Sequence, residues 1–78
     1  MKIKQAKEYY ELGVLTSFDV IKDALNPGCW LLVIGGKEDR SWTAHTSLGE
    51  VKSYARLETV ITDIETISGV VSNLHIRL

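Results

Sequence analysis

The chain has 78 residues, 45% apolar and 24% charged, a balance that makes one small domain with a single core and leaves no room for a second domain, a disordered chain or a membrane span of about 18 apolar residues. Nine basic and ten acidic residues leave a net charge of -1, so no overall positive field draws the protein onto a polyphosphate. A single cysteine, Cys29, rules out an internal disulfide or a multi-cysteine metal site, and Met1-Lys2-Ile3-Lys4-Gln5 lacks the apolar core of a signal peptide, so the expected location is the cytoplasm.

Residues 2–12 hold good helix formers without Pro or Gly, and Ile3, Ala6 and Tyr10 fall on one face, so a short helix is predicted with Gly13 just past its end. Residues 14–25 are rich in β-branched and aromatic types and read as a strand, with a slip in alternation at Val20-Ile21 that suggests a bulge. Asn26-Pro27-Gly28 specifies a type II turn: Pro27 presets one central dihedral and Gly28 supplies the positive one. Residues 29–34 are apolar at every position and belong in the middle of a sheet. Residues 35–39 form a glycine-led hairpin loop, and residues 40–46 a strand.

Ser47-Leu48-Gly49 fits a three-residue hairpin whose last residue is left-handed, a register that sets Trp42 across from Tyr54 on a fourth strand, residues 51–55. Residues 57–68 place Leu57, Val60, Ile61, Ile64 and Ile67 on one stripe of an amphipathic second helix, ended by Gly69. Residues 70–78 alternate as a half-buried last strand. The order α-β-β-β-β-α-β predicts an α+β domain, residues 1–78, with an antiparallel sheet of four to five strands. The expected strand order is 5-1-2-3-4, with the second helix packed on one face.

Side chains able to do chemistry are scattered. Cys29 follows Pro27-Gly28 with no charged residue nearby to activate its thiol, and is expected to be a buried structural residue. His45 and His75 fall on separate strands in no metal-ligand spacing, which points to solvated side chains. Gly35-Gly36-Lys37 leads into a strand and lacks the Ser or Thr of a phosphate loop. No catalytic residue, cofactor or metal is therefore assigned, and the chain is expected not to be an enzyme.

The interaction surfaces are more informative. Pairing Val33 with Trp42 sets Cys29, Leu31 and Val33 beneath the second helix and turns Trp30, Leu32 and Ile34 to the other side. Either the first helix covers that side, or both helices share one face and Trp30, Leu32 and Ile34 stand open to a partner. The expected protein-binding residues are Trp30, Leu32 and Tyr54, with Glu58, Asp63 and Glu65 as an acidic complement to a basic partner, such as a nucleic-acid-binding protein. A homodimer joined at a strand edge or at Trp30 is a companion reading. Direct nucleic-acid binding, through Lys2, Lys4, Lys7, Arg40, Lys52 and Arg56, is the alternative.

The α-β-β-β-α portion resembles the double-stranded RNA-binding domain in its order of elements. That family opens its second helix with lysines laid across phosphates, whereas only Lys52 and Arg56 precede Leu57-Glu58 here, and the helix then carries Glu58, Asp63 and Glu65. A second resemblance spans most of the chain. Gly28-Cys29-Trp30-Leu31-Leu32, Ser41-Trp42-Thr43-Ala44, Thr46-Ser47-Leu48-Gly49-Glu50, Tyr54-Ala55-Arg56-Leu57-Glu58-Thr59 and Ile67-Ser68-Gly69 resemble small accessory proteins of bacterial plasmids and integrative elements, some loosely labelled plasmid replication proteins. The resemblance implies a product of a mobile genetic element, with no catalytic residue to carry over. The expected function is binding to a host protein or complex to regulate or inhibit it, as plasmid and phage proteins do, with plasmid replication or maintenance through nucleic acid as the alternative.

Overall fold

A computed structural model describes residues 1–69 and the backbone of residues 74–76. The fold is α+β, with two helices, an antiparallel sheet of four strands, and a fifth strand added in parallel. The elements are α1 (Ile3–Glu11), β1 (Leu15–Lys22), β2 (Trp30–Gly36), β3 (Ser41–Thr43), β4 (Ser53–Tyr54), α2 (Leu57–Ser68) and β5 (Leu74–Ile76). Only this central part of the expected last strand lies within the described residues.

Both helices end at glycines in the left-handed region, Gly13 at φ 76° and Gly69 at φ 81°. The Asn26-Pro27-Gly28 turn forms as expected: the Cys29 amide donates to the Asn26 carbonyl at 3.0 Å, and Gly28 takes φ 86°. In α2 the hydroxyls of Thr62, Thr66 and Ser68 donate to carbonyls one turn back, which satisfies polar groups that would otherwise compete with the helix.

The sheet differs from expectation in four ways. First, β4 is not an outer edge strand. It pairs with β2, as β3 does: Ser41 to Thr43 lie against Gly35 to Val33, and Ser53 and Tyr54 lie against Leu31 and Trp30. The two short strands are one edge of the sheet, from which residues 45–52 loop out. The tip has the expected register, since the Thr46 amide donates to Glu50 at 2.7 Å, His45 bridges Val51 and Gly49 sits at φ 89°. At its base the Lys52 amide donates to Ala44, but Ala44 itself donates to Leu32 of β2, so Trp42 and Tyr54 separate along β2 and do not face each other. Second, β5 lies beside β1, as expected, and runs parallel to it, because α2 carries the chain back across the sheet.

Third, the irregularity in β1 falls between Leu15 and Ser17, not at Val20-Ile21. Leu15 and Phe18 are both buried, and an extra residue is needed to bring side chains three apart to one face. Fourth, Gly35 and Gly36 belong to β2, and the left-handed loop positions are taken by Glu38 and Asp39 instead, at φ 64° and 59°. The Trp42 ring lies across Gly36, where a Cβ would come within 2.7 Å of the ring, so bare backbone is needed in the strand itself.

One core lies between the helices and one face of the sheet. It contains Ala6 of α1, Val60, Ile64 and Ile67 of α2, and Leu15, Phe18, Val20, Leu32, Ile34, Ala44 and Tyr54. Phe18 pairs with Ile34, Val20 with Leu32, and Ile34 with Trp42, which places these side chains together. Because Ile34, not Val33, faces Trp42, β2 is turned over relative to the expected pairing, and Leu32 and Ile34 are fully enclosed. Among the described residues no helix is long and apolar enough to cross a membrane.

Candidate functional site

With both helices on one side, the alternate residues on the other side of the sheet include the apolar Ile21 of β1 and Leu31 and Val33 of β2, with Asp19 of β1 paired to Val33 on the same face. Ile21 pairs directly with Leu31, and Val33 is the next residue of β2 on the same face. All three apolar residues are half-buried, and among the described residues no helix is laid over them. Thr43 and Ser53 sit opposite Val33 and Leu31 on the edge strands, and Asp19 sits opposite Val33 on β1, giving a short apolar strip bordered by two hydroxyl residues and a carboxylate.

The residues expected to bind protein are distributed differently. Leu32 is 0% and Tyr54 2% exposed, so neither can touch a partner, and the docking face built on Trp30, Leu32 and Tyr54 is not a surface. Trp30 packs half-buried at the margin of the core, and its indole N–H is buried without an acceptor among the described residues. Glu58 and Glu65 are exposed on the outer side of α2. Asp63 is not part of that acidic face: it turns toward the sheet and accepts from both Lys52 and Tyr54, each at 2.6 Å. Burial, and then the hydrogen bond and charge of Asp63, raise the Tyr54 phenol far above its ordinary pKa.

Of the six basic residues expected to bind nucleic acid, three come together and three do not. Lys2, Lys4 and Lys52 line a common cavity of about 500 Å³. Arg40 instead stacks on Trp42, 5.6 Å from the ring centroid, and Trp42 meets the edge of Tyr9. Lys7 and Arg56 are exposed and do not line the cavity.

His45 is held at the base of the looped-out segment. Its amide donates to the Met1 carbonyl at 2.7 Å, and the Met1 ammonium lies 2.6 Å from its Nδ1 and donates to the Thr43 carbonyl at 2.8 Å. Burial lowers the pKa of that ammonium. When the ammonium donates to Nδ1, the ring proton sits on Nε2. Cys29 is half-buried rather than enclosed and lines a smaller cleft with Lys22, Pro27 and Trp30. Among the described residues no group of three His, Cys, Asp or Glu side chains could hold a metal ion.

Asp23 was not legible as a key residue. It is 7% exposed and accepts from the Leu25 amide, the Asn26 side chain and the Ser53 hydroxyl, at 3.0, 2.9 and 2.7 Å. These bonds, the Asn26 amide foremost, lower its pKa despite the burial. They lock the turn before β2 to β4 and hold the lower end of the open face in register. The sequence signal was present in Asp23 to Asn26, an aspartate whose side chain can bond its own backbone two residues on.

The chain matches no known family model, no curated protein and no solved structure.

Proposed function

We propose that this protein is a non-enzymatic protein-interaction module of a mobile genetic element, which regulates or inhibits a host protein by docking the open face of its sheet on it. The observation that carries the reading is the strip Ile21, Leu31 and Val33, left half-exposed because both helices pack on the opposite side. An apolar strip with a polar border has the composition of an interface centre and rim. Its residues are short and branched and rest on paired strands, so little side-chain entropy is lost when a partner covers them. The partner presents a flat apolar patch of its own, ringed by groups that can hydrogen-bond Thr43 and Ser53.

The test is capture from a bacterial lysate with wild type, Leu31→Lys and Glu58→Lys, each with and without nuclease. The reading expects nuclease-resistant capture that Leu31→Lys abolishes and Glu58→Lys leaves intact. Equal capture by wild type and Leu31→Lys rejects it. Capture lost to nuclease and falling steeply with salt would favour the nucleic-acid alternative.

A further inference from the structure

We infer that the cavity between the start of α1, the 45–52 loop and α2 binds a phosphate-bearing small ligand. This does not depend on the open sheet face, which lies on the other side of the sheet from the helices. The cavity, at about 500 Å³, is within the range of small-molecule sites, about 300–1,000 Å³. Two elements bring cations to it: Lys2 and Lys4 come from the beginning of α1, and Lys52 from the base of the loop. The loop adds His45 and the hydroxyls of Thr46 and Ser47.

The single carboxylate in the wall, Asp63, already accepts from Lys52 and Tyr54 through one oxygen. Among the described residues Lys2 and Lys4 have no carboxylate partner. The wall therefore has a net charge of +2, from three lysines and one aspartate.

This arrangement is the reverse of what folding alone favours. A helix start stabilises anions, and a cation there costs about 0.3–1 kcal/mol. Yet α1 has no acidic residue in its first turn, carries Lys4 there, and has as its N-cap a lysine, whose backbone amide donates to the Gln5 side chain at 3.1 Å. A dianion in the cavity would reverse the sign of each of these terms. Phosphate suits the donors better than a carboxylate, since its oxygens can accept from ammonium and hydroxyl groups on several sides at once. The loop that bears His45, Thr46 and Ser47 is pinned by backbone bonds at its tip and base, so the donors are held in place beforehand. The Thr46 hydroxyl accepts from the Glu50 amide and keeps its own proton to donate.

The test is an amide NMR titration of the whole chain, at constant ionic strength, with inorganic phosphate, adenosine monophosphate, sodium chloride and a short single-stranded oligonucleotide. The inference expects saturable shifts from phosphate and the nucleotide at Ile3, Lys4 and residues 45–47, absent with chloride. Lys4→Gln should weaken binding by about tenfold, the loss of one charge-assisted bond, while Lys7→Gln, one turn further on, should leave it unchanged. Circular dichroism checks that both variants are folded. Shifts that do not saturate, that appear equally at Lys22 and Lys37, or that survive Lys4→Gln would overturn the assignment. Tighter binding of the oligonucleotide, with shifts spreading to Arg40 and Arg56, would also overturn it, in favour of a nucleic-acid surface.

Discussion

The Tyr54 hydroxyl meets the Asp63 carboxylate at 2.6 Å, joining the last residue of β4 to the inner side of α2. The same oxygen receives the Lys52 ammonium, which also lies 5.1 Å from the centre of the Tyr54 ring. Three residues from the loop, the edge strand and the helix thus close one corner of the core, and this is why Asp63 is withdrawn from the acidic face of α2.

Tyr54→Phe should lower stability by about 1.5–3 kcal/mol, the range for a hydrogen bond to a charged group. The phenol also sets an alkaline limit. Its folded pKa is raised above the unfolded value near 10, so its contribution is complete below about pH 10 and declines as the pH rises further, where only the unfolded chain ionises. Urea unfolding of wild type and Tyr54→Phe between neutral and alkaline pH should show the two curves converging. The phenolate absorbance of Tyr54, obtained by difference, should appear only with unfolding.

Asp23 has the opposite sign. A carboxylate whose folded pKa is depressed contributes stability above its ordinary value near 3.8, and that contribution is lost as the pH falls through the lower folded value. Asp23→Asn removes the titration while retaining an acceptor. Wild type should therefore exceed Asp23→Asn in urea midpoint at neutral pH, and the gap should close in acid.

The two faces of β2 make a sharp contrast in adjacent residues. Leu32→Ala removes a side chain with no exposure and should cost about 2–5 kcal/mol, whereas Leu31→Ala, on the open side, should cost less than about 1 kcal/mol. Equal losses would mean that the strand is buried on both sides.

At Gly36, an added methyl group would meet the Trp42 ring at 2.7 Å and the Val14 carbonyl at 3.2 Å. Gly36→Ala should destabilise by about 1–3 kcal/mol, the usual cost of overpacking, and should shift Trp42 fluorescence as the ring leaves Tyr9 and Arg40.

Both helices and the tip of the hairpin were legible because the signals there are local. Gly13 and Gly69 mark ends, Leu57, Val60, Ile64 and Ile67 mark a stripe, and Gly49 marks the left-handed residue of a three-residue loop. The facing of β2 was not legible, since Trp30 to Ile34 is apolar at every position and no alternation distinguishes one phase from the other. What decides it is where the chain leaves the edge at Ala44 and returns at Ser53, a choice made by contacts distant in sequence. The candidate sites were obscured for related reasons. The open strip follows from that phase, and the basic cavity joins Lys2 and Lys4 to Lys52, which only the folded chain brings together.

Photo-crosslinking from the open face would decide the matter. A benzophenone amino acid in place of Leu31, irradiated in bacterial lysate, should give a discrete nuclease-resistant protein adduct that excess wild type suppresses and excess Leu31→Lys does not. No adduct from position 31, or the same adduct formed equally well from position 58 on the outer side of α2, would show that the strip Ile21, Leu31 and Val33 is not the docking surface.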